Sequence, residues 1–184
     1  MAEYYLMSQL PSLDGIDENT PLPITEEGFL DVCRRFLGKK ELTELEQITL
    51  TPPRNSVKLG SPLIEAWNEG ERNLRLALGK VRAEKMKKTF DIGNCYLSAE
   101  LLRVANTAVE FESPMEAEKY LNDYRLKFLE TLRPMDTFSK DSVFYYYLKL
   151  KLILRIRNFD VESGKTAYKN IYNSVLMGES LEAK

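Results

Sequence analysis

The chain has 184 residues, enough for one domain or two small lobes, and at this size a core needs no disulfide or metal staple. Its 26 lysines and arginines nearly balance 28 aspartates and glutamates, and the net charge of -2 excludes the strong basic excess of a dedicated nucleic-acid binder. Histidine is absent, which removes the commonest general base, metal ligand and pH switch.

Tyr4 to Leu10 is a short apolar run stopped by Pro11 and reads as a strand or an extended segment. Residues 12–23 are rich in Asp, Asn, Pro and Gly and read as a loop. Thr25 is placed to cap a helix running to Leu37, with Glu26 and Glu27 in its first turn and Gly38 ending it. Leu42 to Leu50 reads as a second short helix closed by Pro52 and Pro53.

Ser61-Pro62 opens the longest helix, which is expected to reach Lys88, because Ser is a favoured N-cap and Pro a favoured first residue. Leu63, Trp67, Leu74, Leu78 and Val81 recur at helical spacing, and Gly70 leaves a gap in that stripe for another helix to approach. Residues 90–96 read as a turn. Ser98 then caps a helix to about Val109. Ser113-Pro114 with Glu116 opens another, to about Leu132, with Tyr120, Tyr124, Phe128 and Leu132 on a related face.

Ser139 or Asp141 starts a further helix. Within it, Leu148 to Arg157 alternates apolar and basic residues with a strand-like period of two. The surrounding Gly- and Pro-free, Leu-rich run favours helix, with Lys and Arg stems reaching outward. A last helix, about Val161 to Leu176, is capped by Asp160 and weakened by Gly164. The expected fold is therefore all-α. It is a bundle of about six helices with an extended or short-strand N-terminal segment, in one domain over 1–184. The alternative division is two lobes, 1–60 and 61–184.

Cys33 and Cys95 fit no zinc spacing and are expected to be buried and reduced. No nucleotide-binding loop occurs, since Gly79-Lys80 lacks the upstream glycine at the required spacing. Carboxylate pairs such as Glu26/Glu27 and Glu110/Glu112 read as surface residues, so neither an enzyme nor a cofactor is expected. The N-terminus has no basic leader or signal core, and no stretch approaches the ~20 apolar residues that span a bilayer. A cytoplasmic protein without direct membrane insertion is expected.

Charge is uneven along the chain. From Met1 to Cys33 there are seven acids and no base, and from Lys80 to Lys88 five bases and one acid. These read either as solvated faces or as docking surfaces, the second centred on Arg82, Lys85, Lys87 and Lys88. Tyr145, Tyr146 and Tyr147 span about 200° of a helix and are expected not to face one core all together. Either they pack in the core with satisfied hydroxyls or at least one, Tyr145 or Tyr146, meets a groove, a lobe or a partner.

Two passages carry a family resemblance. Ala66 to Leu76, with Trp67, Glu71, Arg72, Asn73 and Arg75, and Phe144 to Arg155 both resemble helices of the C-type (or d-type) stalk protein of V-type and archaeal-type ATPases. The opening Tyr4 to Pro11 and Pro21 to Thr25 resemble a bacterial family of uncharacterised proteins associated with V-type ATPases. The resemblance covers under half the chain. It implies a non-catalytic helical coupler between the membrane rotor ring and the central stalk, held at the membrane by the ATPase. It also implies interhelical bonds from Glu71 and Asn73. The family's usual member is considerably longer. A free-standing helical adaptor is the alternative.

Overall fold

The computed structural model describes residues 2–16, 20–53, 60–93, 95–158 and 161–182, and among these the secondary structure is entirely helical. Eight helices follow in chain order: α1 Ala2–Gln9, α2 Glu26–Phe36, α3 Lys39–Glu46, α4 Pro62–Lys85, α5 Ala99–Glu110, α6 Pro114–Thr131, α7 Lys140–Arg157 and α8 Val161–Glu182.

The all-α expectation holds, but its detail needs correction. Eight helices lie among the described residues rather than about six, and the N-terminal segment is helix α1, not an extended or strand segment. The reason is tertiary: no strand lies among the described residues to pair with it, whereas Leu6 is fully buried against the core and Met7 and Leu10 pack beside it. Eight residues carry too few helical repeats for that outcome to be read from periodicity. Gly38 also has a different role. Its φ of -69° is not the left-handed turn of a helix-ending glycine; it precedes α3, and its N–H donates to Glu41 Oε2 at 3.0 Å. Asp160, expected to cap the last helix, lies outside the described residues, and α8 continues past Leu176.

The serine and threonine caps fall where their chemistry places them. Thr25 Oγ1 accepts from Gly28 N–H at 3.1 Å, Ser61 Oγ from Ile64 N–H at 3.3 Å, Ser98 Oγ from Leu101 N–H at 3.2 Å and Ser139 Oγ from Ser142 N–H at 3.3 Å. Ser61 Oγ also donates to Asp141 Oδ1 at 2.6 Å, which ties the start of α4 to the start of α7.

Helix α4 spans two hydrophobic cores. Its first half, with Leu63, Ile64 and Trp67, joins α1, α2, α3, the end of α6 and α7 around Leu6, Phe29, Leu45 and Phe144. Its second half, with Leu74, Ala77, Leu78 and Val81, packs on Leu101, Val104, Ala105 and Ala108 of α5 and Leu121 of α6. Both α4 and α6 thus contribute to the two cores. Full burial of side chains such as Trp67, Phe29 and Phe144 contributes about 1.5–3 kcal/mol each.

Gly70 receives the other helix that its gap in the stripe implied. Phe128 of α6 lies over it, so a Cβ there would fall 2.3 Å from the ring. The buried residues of α6 are Leu121, Asn122, Arg125 and Leu129, offset from the expected face, on which Tyr120, Tyr124, Phe128 and Leu132 are half-buried. Cys33 is buried and free as expected. Cys95 is also free but exposed, a correction, because it lies in the open α4–α5 connection rather than on a packed helix face.

Candidate functional site

The resembling passages fall on α4 and α7, and a chain of buried and half-buried polar side chains joins them through α6. Glu71 is 3% exposed and Arg125 5%. Their contact is bidentate: Arg125 Nε donates to Glu71 Oε2 at 2.9 Å and Arg125 Nη2 to Oε1 at 3.1 Å. Arg75 Nε, one turn along α4, donates to the same Oε1 at 2.9 Å, and its Nη2 reaches Thr51 Oγ1 at 3.2 Å. Arg125 Nη1 donates to Asn122 Oδ1 at 3.0 Å and Glu118 Oε1 at 3.2 Å. Glu118 is in turn paired with Arg155 near the end of α7.

Glu71 therefore bonds between helices, as the resemblance implies. Asn73 is half-buried and Arg72 exposed, and neither joins this network; Trp67 is buried beside it, its ring stacked on Phe128 with centroids 6.1 Å apart. Burying two charges is expensive, and the gain is repaid only when every lone pair and proton finds a partner. Here both carboxylate oxygens of Glu71 are engaged and Arg125 uses three of its nitrogens, but the buried Asn122 Nδ2 and Arg155 Nε find no partner, so the criterion is met only in part.

Sequence reasoning missed Glu118, Asn122 and Arg125. Their signal was present: spacing of four and then three places them on one face of α6, the face that also carries Leu121 and Leu129. A polar trio at core spacing marks an internal network rather than a solvated stripe.

The second cluster surrounds α7, whose residues 142–150 are all buried. Tyr145, Tyr146 and Tyr147 spread around the helix yet all belong to one core, a correction to the expectation, because neighbours enclose α7 on several sides. Tyr146 donates to the Pro11 carbonyl at 2.8 Å and Tyr147 to Glu26 Oε1 at 2.8 Å, while Phe29 stacks near both rings at 5.3 and 5.1 Å. Burial pushes all three phenols above their ordinary range, aided at Tyr145 by Glu130 and at Tyr147 by Glu26. Tyr145 and Tyr146 are thus core residues that line a cleft of about 160 Å³, together with Arg133, Ser142 and Lys149. As candidates for docking they are corrected: at 8% and 7% exposure neither presents its ring to an outside protein.

Lys149 reaches Asp14 Oδ1 at 2.5 Å and Glu130 Oε1 at 2.7 Å. Burial works against its charge, but the two carboxylates prevail and raise its pKa. Asp14 is held below its usual range by the Lys149 hydrogen bond. At Glu26 and Glu130 burial opposes ionisation, and the bonds of Glu26 to Tyr147 and Lys151, and of Glu130 to Lys149, outweigh it. Two acids of the N-terminal segment, Asp14 and Glu26, are therefore engaged by α7.

The basic end of α4 is different. Arg82, Lys85, Lys87 and Lys88 are all exposed, and Lys85 Nζ donates to the Val109 carbonyl at 2.9 Å. The helix closes with Lys87 N–H on the Glu84 carbonyl at 3.0 Å and Lys88 N–H on the Ala83 carbonyl at 2.9 Å, which puts Lys87 at a φ of 54°, where glycine is usual.

These features define an all-helical protein whose most elaborate polar sites hold its own helices together. Residues 89–179, slightly under half the chain, are similar to a family described as a protein of unknown function (DUF2764). Comparisons with curated proteins and with solved structures gave no match. No helix among the described residues is long and apolar enough to cross a membrane.

Proposed function

We propose that this protein is a non-catalytic coupling or assembly subunit of a bacterial V-type ATPase, docking between the membrane rotor ring and the central stalk. The observation that carries the reading is the continuous link from Glu71 through Arg125 and Glu118 to Arg155, whose two ends belong to the two passages resembling the ATPase stalk protein. A coupler must keep its helices in register under load. A bidentate ion pair between packed helices supplies directional resistance that apolar packing lacks. On this reading the protein is cytoplasmic, held at the membrane by its partners, and works without a cofactor. Arg82, Lys85, Lys87 and Lys88 form the exposed docking edge.

The test is affinity copurification of the tagged protein from gently solubilised native membranes, read by mass spectrometry. Rotor-ring and central-stalk proteins in comparable amounts are expected of a coupler, and substoichiometric, partly assembled ATPase of an assembly factor. Recovery without any ATPase component overturns the proposal. Docking through the basic edge also requires association to weaken as ionic strength rises.

A second reading, a free-standing helical adaptor unrelated to the ATPase, is favoured by the exposed apolar residues of α8. A stable binary complex with an unrelated protein, formed without the ATPase, would support it.

A further inference from the structure

Residues 80–96, which end α4 and lead into its connection to α5, carry five bases and two acids. Both acids are engaged locally: Glu84 lies 4.0 Å from Lys80, and Asp91 Oδ1 accepts from Gly93 N–H at 2.7 Å. Lys85 borders α5 through the Val109 carbonyl. Arg82, Lys87 and Lys88 are exposed, and among the described residues none of them has a carboxylate partner.

Apolar side chains stand among these bases. Met86 is 60% exposed, Phe90 44% and Tyr96 87%. Phe90 is held in place, because its ring lies over Gly79, where an added Cβ would fall 2.7 Å from it. Arg82, Ala83 and Met86 follow Gly79 by three, four and seven residues, so they share the helix face on which the Phe90 ring lies. That face thus carries a methionine and an aromatic ring beside an arginine, with Lys87 and Lys88 at its end. Lys87 adds a separate sign. Its φ of 54° is a conformation that strains a side-chain-bearing residue and leaves glycine unstrained. No described carboxylate holds its ammonium, which is free for a contact outside the fold.

The chain as a whole carries -2, so an anionic surface attracts this end and repels the remainder, which sets one orientation. A bilayer interface suits the mixture of groups. Lysine and arginine stems bring their charges level with lipid phosphates, while a methionine and an aromatic ring enter the headgroup boundary. An acidic protein would neutralise the bases, but it would also need shaped pockets for Met86 and Tyr96.

We propose that the end of α4 is a membrane-surface contact that binds anionic phospholipid through Arg82, Lys87 and Lys88, with Met86 and Phe90 set among the headgroups. The contact is peripheral, with no segment crossing the bilayer. It goes beyond the ATPase reading, in which partners hold the protein at the membrane, and the two fail separately because vesicles contain no ATPase.

Co-sedimentation of the full chain with vesicles tests it. Binding is expected to vesicles of mixed phosphatidylglycerol and phosphatidylcholine, to fall as salt rises, and to be absent with phosphatidylcholine alone. Lys87→Gly removes one charge and relieves the backbone, so it should raise the thermal midpoint yet weaken vesicle binding about fivefold. Loss of binding in that variant is therefore not loss of fold. Adding Arg82→Gln and Lys88→Gln should abolish sedimentation, and Met86→Asp alone should weaken it. A chain that ignores the anionic vesicles, or binds both vesicle types equally, overturns the proposal. So does a triple variant that binds like the parent. Retention on immobilised polyglutamate without vesicle binding assigns the edge to an acidic protein and overturns it as well.

Discussion

Helices α7 and α8 use similar residues in opposite settings. Both carry tyrosines, branched aliphatics and lysines, yet every residue from Ser142 to Leu150 is buried and every described side chain from Gly164 to Val175 is exposed. The difference lies in what surrounds them. Helix α7 is enclosed by α1, α2, α4 and α6, and even its buried Lys149 reaches carboxylates, those of Asp14 and Glu130, at the surface. Helix α8 keeps its apolar face outward. Residue type alone therefore does not place a helix in the core; the number of faces its neighbours cover does.

The sharpest way to break the comparison is to truncate one aromatic in each helix. Phe144→Ala should destabilise the chain by about 3–5 kcal/mol, and Tyr172→Ala should change stability by no more than about 0.5 kcal/mol. Denaturant unfolding measures both. Similar losses would mean that α8 is packed after all.

Arg125→Ala, which leaves the Glu71 carboxylate buried beside only Arg75, should cost about 3–5 kcal/mol. Replacing both partners with apolar residues, Glu71→Leu with Arg125→Met, should recover much of that loss. If the double variant is no better than the single one, the network contributes more than compensation for its own desolvation.

Glycines sharpen the contrast further, because one substitution should have opposite signs. Gly70→Ala forces a methyl group into Phe128 and should cost about 1–3 kcal/mol. Gly164→Ala meets open space and should raise the helicity of α8, worth up to about 1 kcal/mol. Circular dichroism during thermal unfolding distinguishes the two.

Acid and alkali probe only the enclosed region. Asp14, Glu26 and Glu130 have lowered pKa values, so the stability they contribute is present above their ordinary values of 3.8, 4.5 and 4.5 and is lost as pH falls through the depressed ones. Burial pushes the Cys33 thiol from 9.0 up to about 12, so its contribution is complete below pH 9.0 and is lost as pH rises towards 12. The buried tyrosines act in the same direction above pH 10. Far-ultraviolet circular dichroism against pH should show an acid limb and an alkaline limb. The Lys149→Met variant should shift the acid limb, because Asp14 and Glu130 then lose their shared partner.

Legibility follows the same physical divide. Helix α4 was plain in the sequence because Ser61-Pro62 fixes its start and Leu63, Trp67, Leu74, Leu78 and Val81, all buried, share one stripe. Helix α1 was not, since it is eight residues long and, among its described side chains, only Leu6 is fully buried, which carries almost no periodicity. The alternation from Leu148 to Arg157 mimics a strand because an enclosed helix need not separate apolar from charged faces when its lysines find internal partners. The basic edge was legible, as exposed charge usually is. Arg125 was not, because the carboxylate that accounts for it lies 54 positions away, on another helix.

The Glu71–Arg125 contact sits where the two cores meet along α4. Apolar cores hold their helices by close packing, as Phe128 over Gly70 does between α4 and α6. A forked pair of hydrogen bonds has only one position of fit. It acts as a shear pin at the waist of the molecule, fixing the axial register of α4 against α6, so that a load applied at one core reaches the other as displacement of the whole rod rather than as slip between its layers.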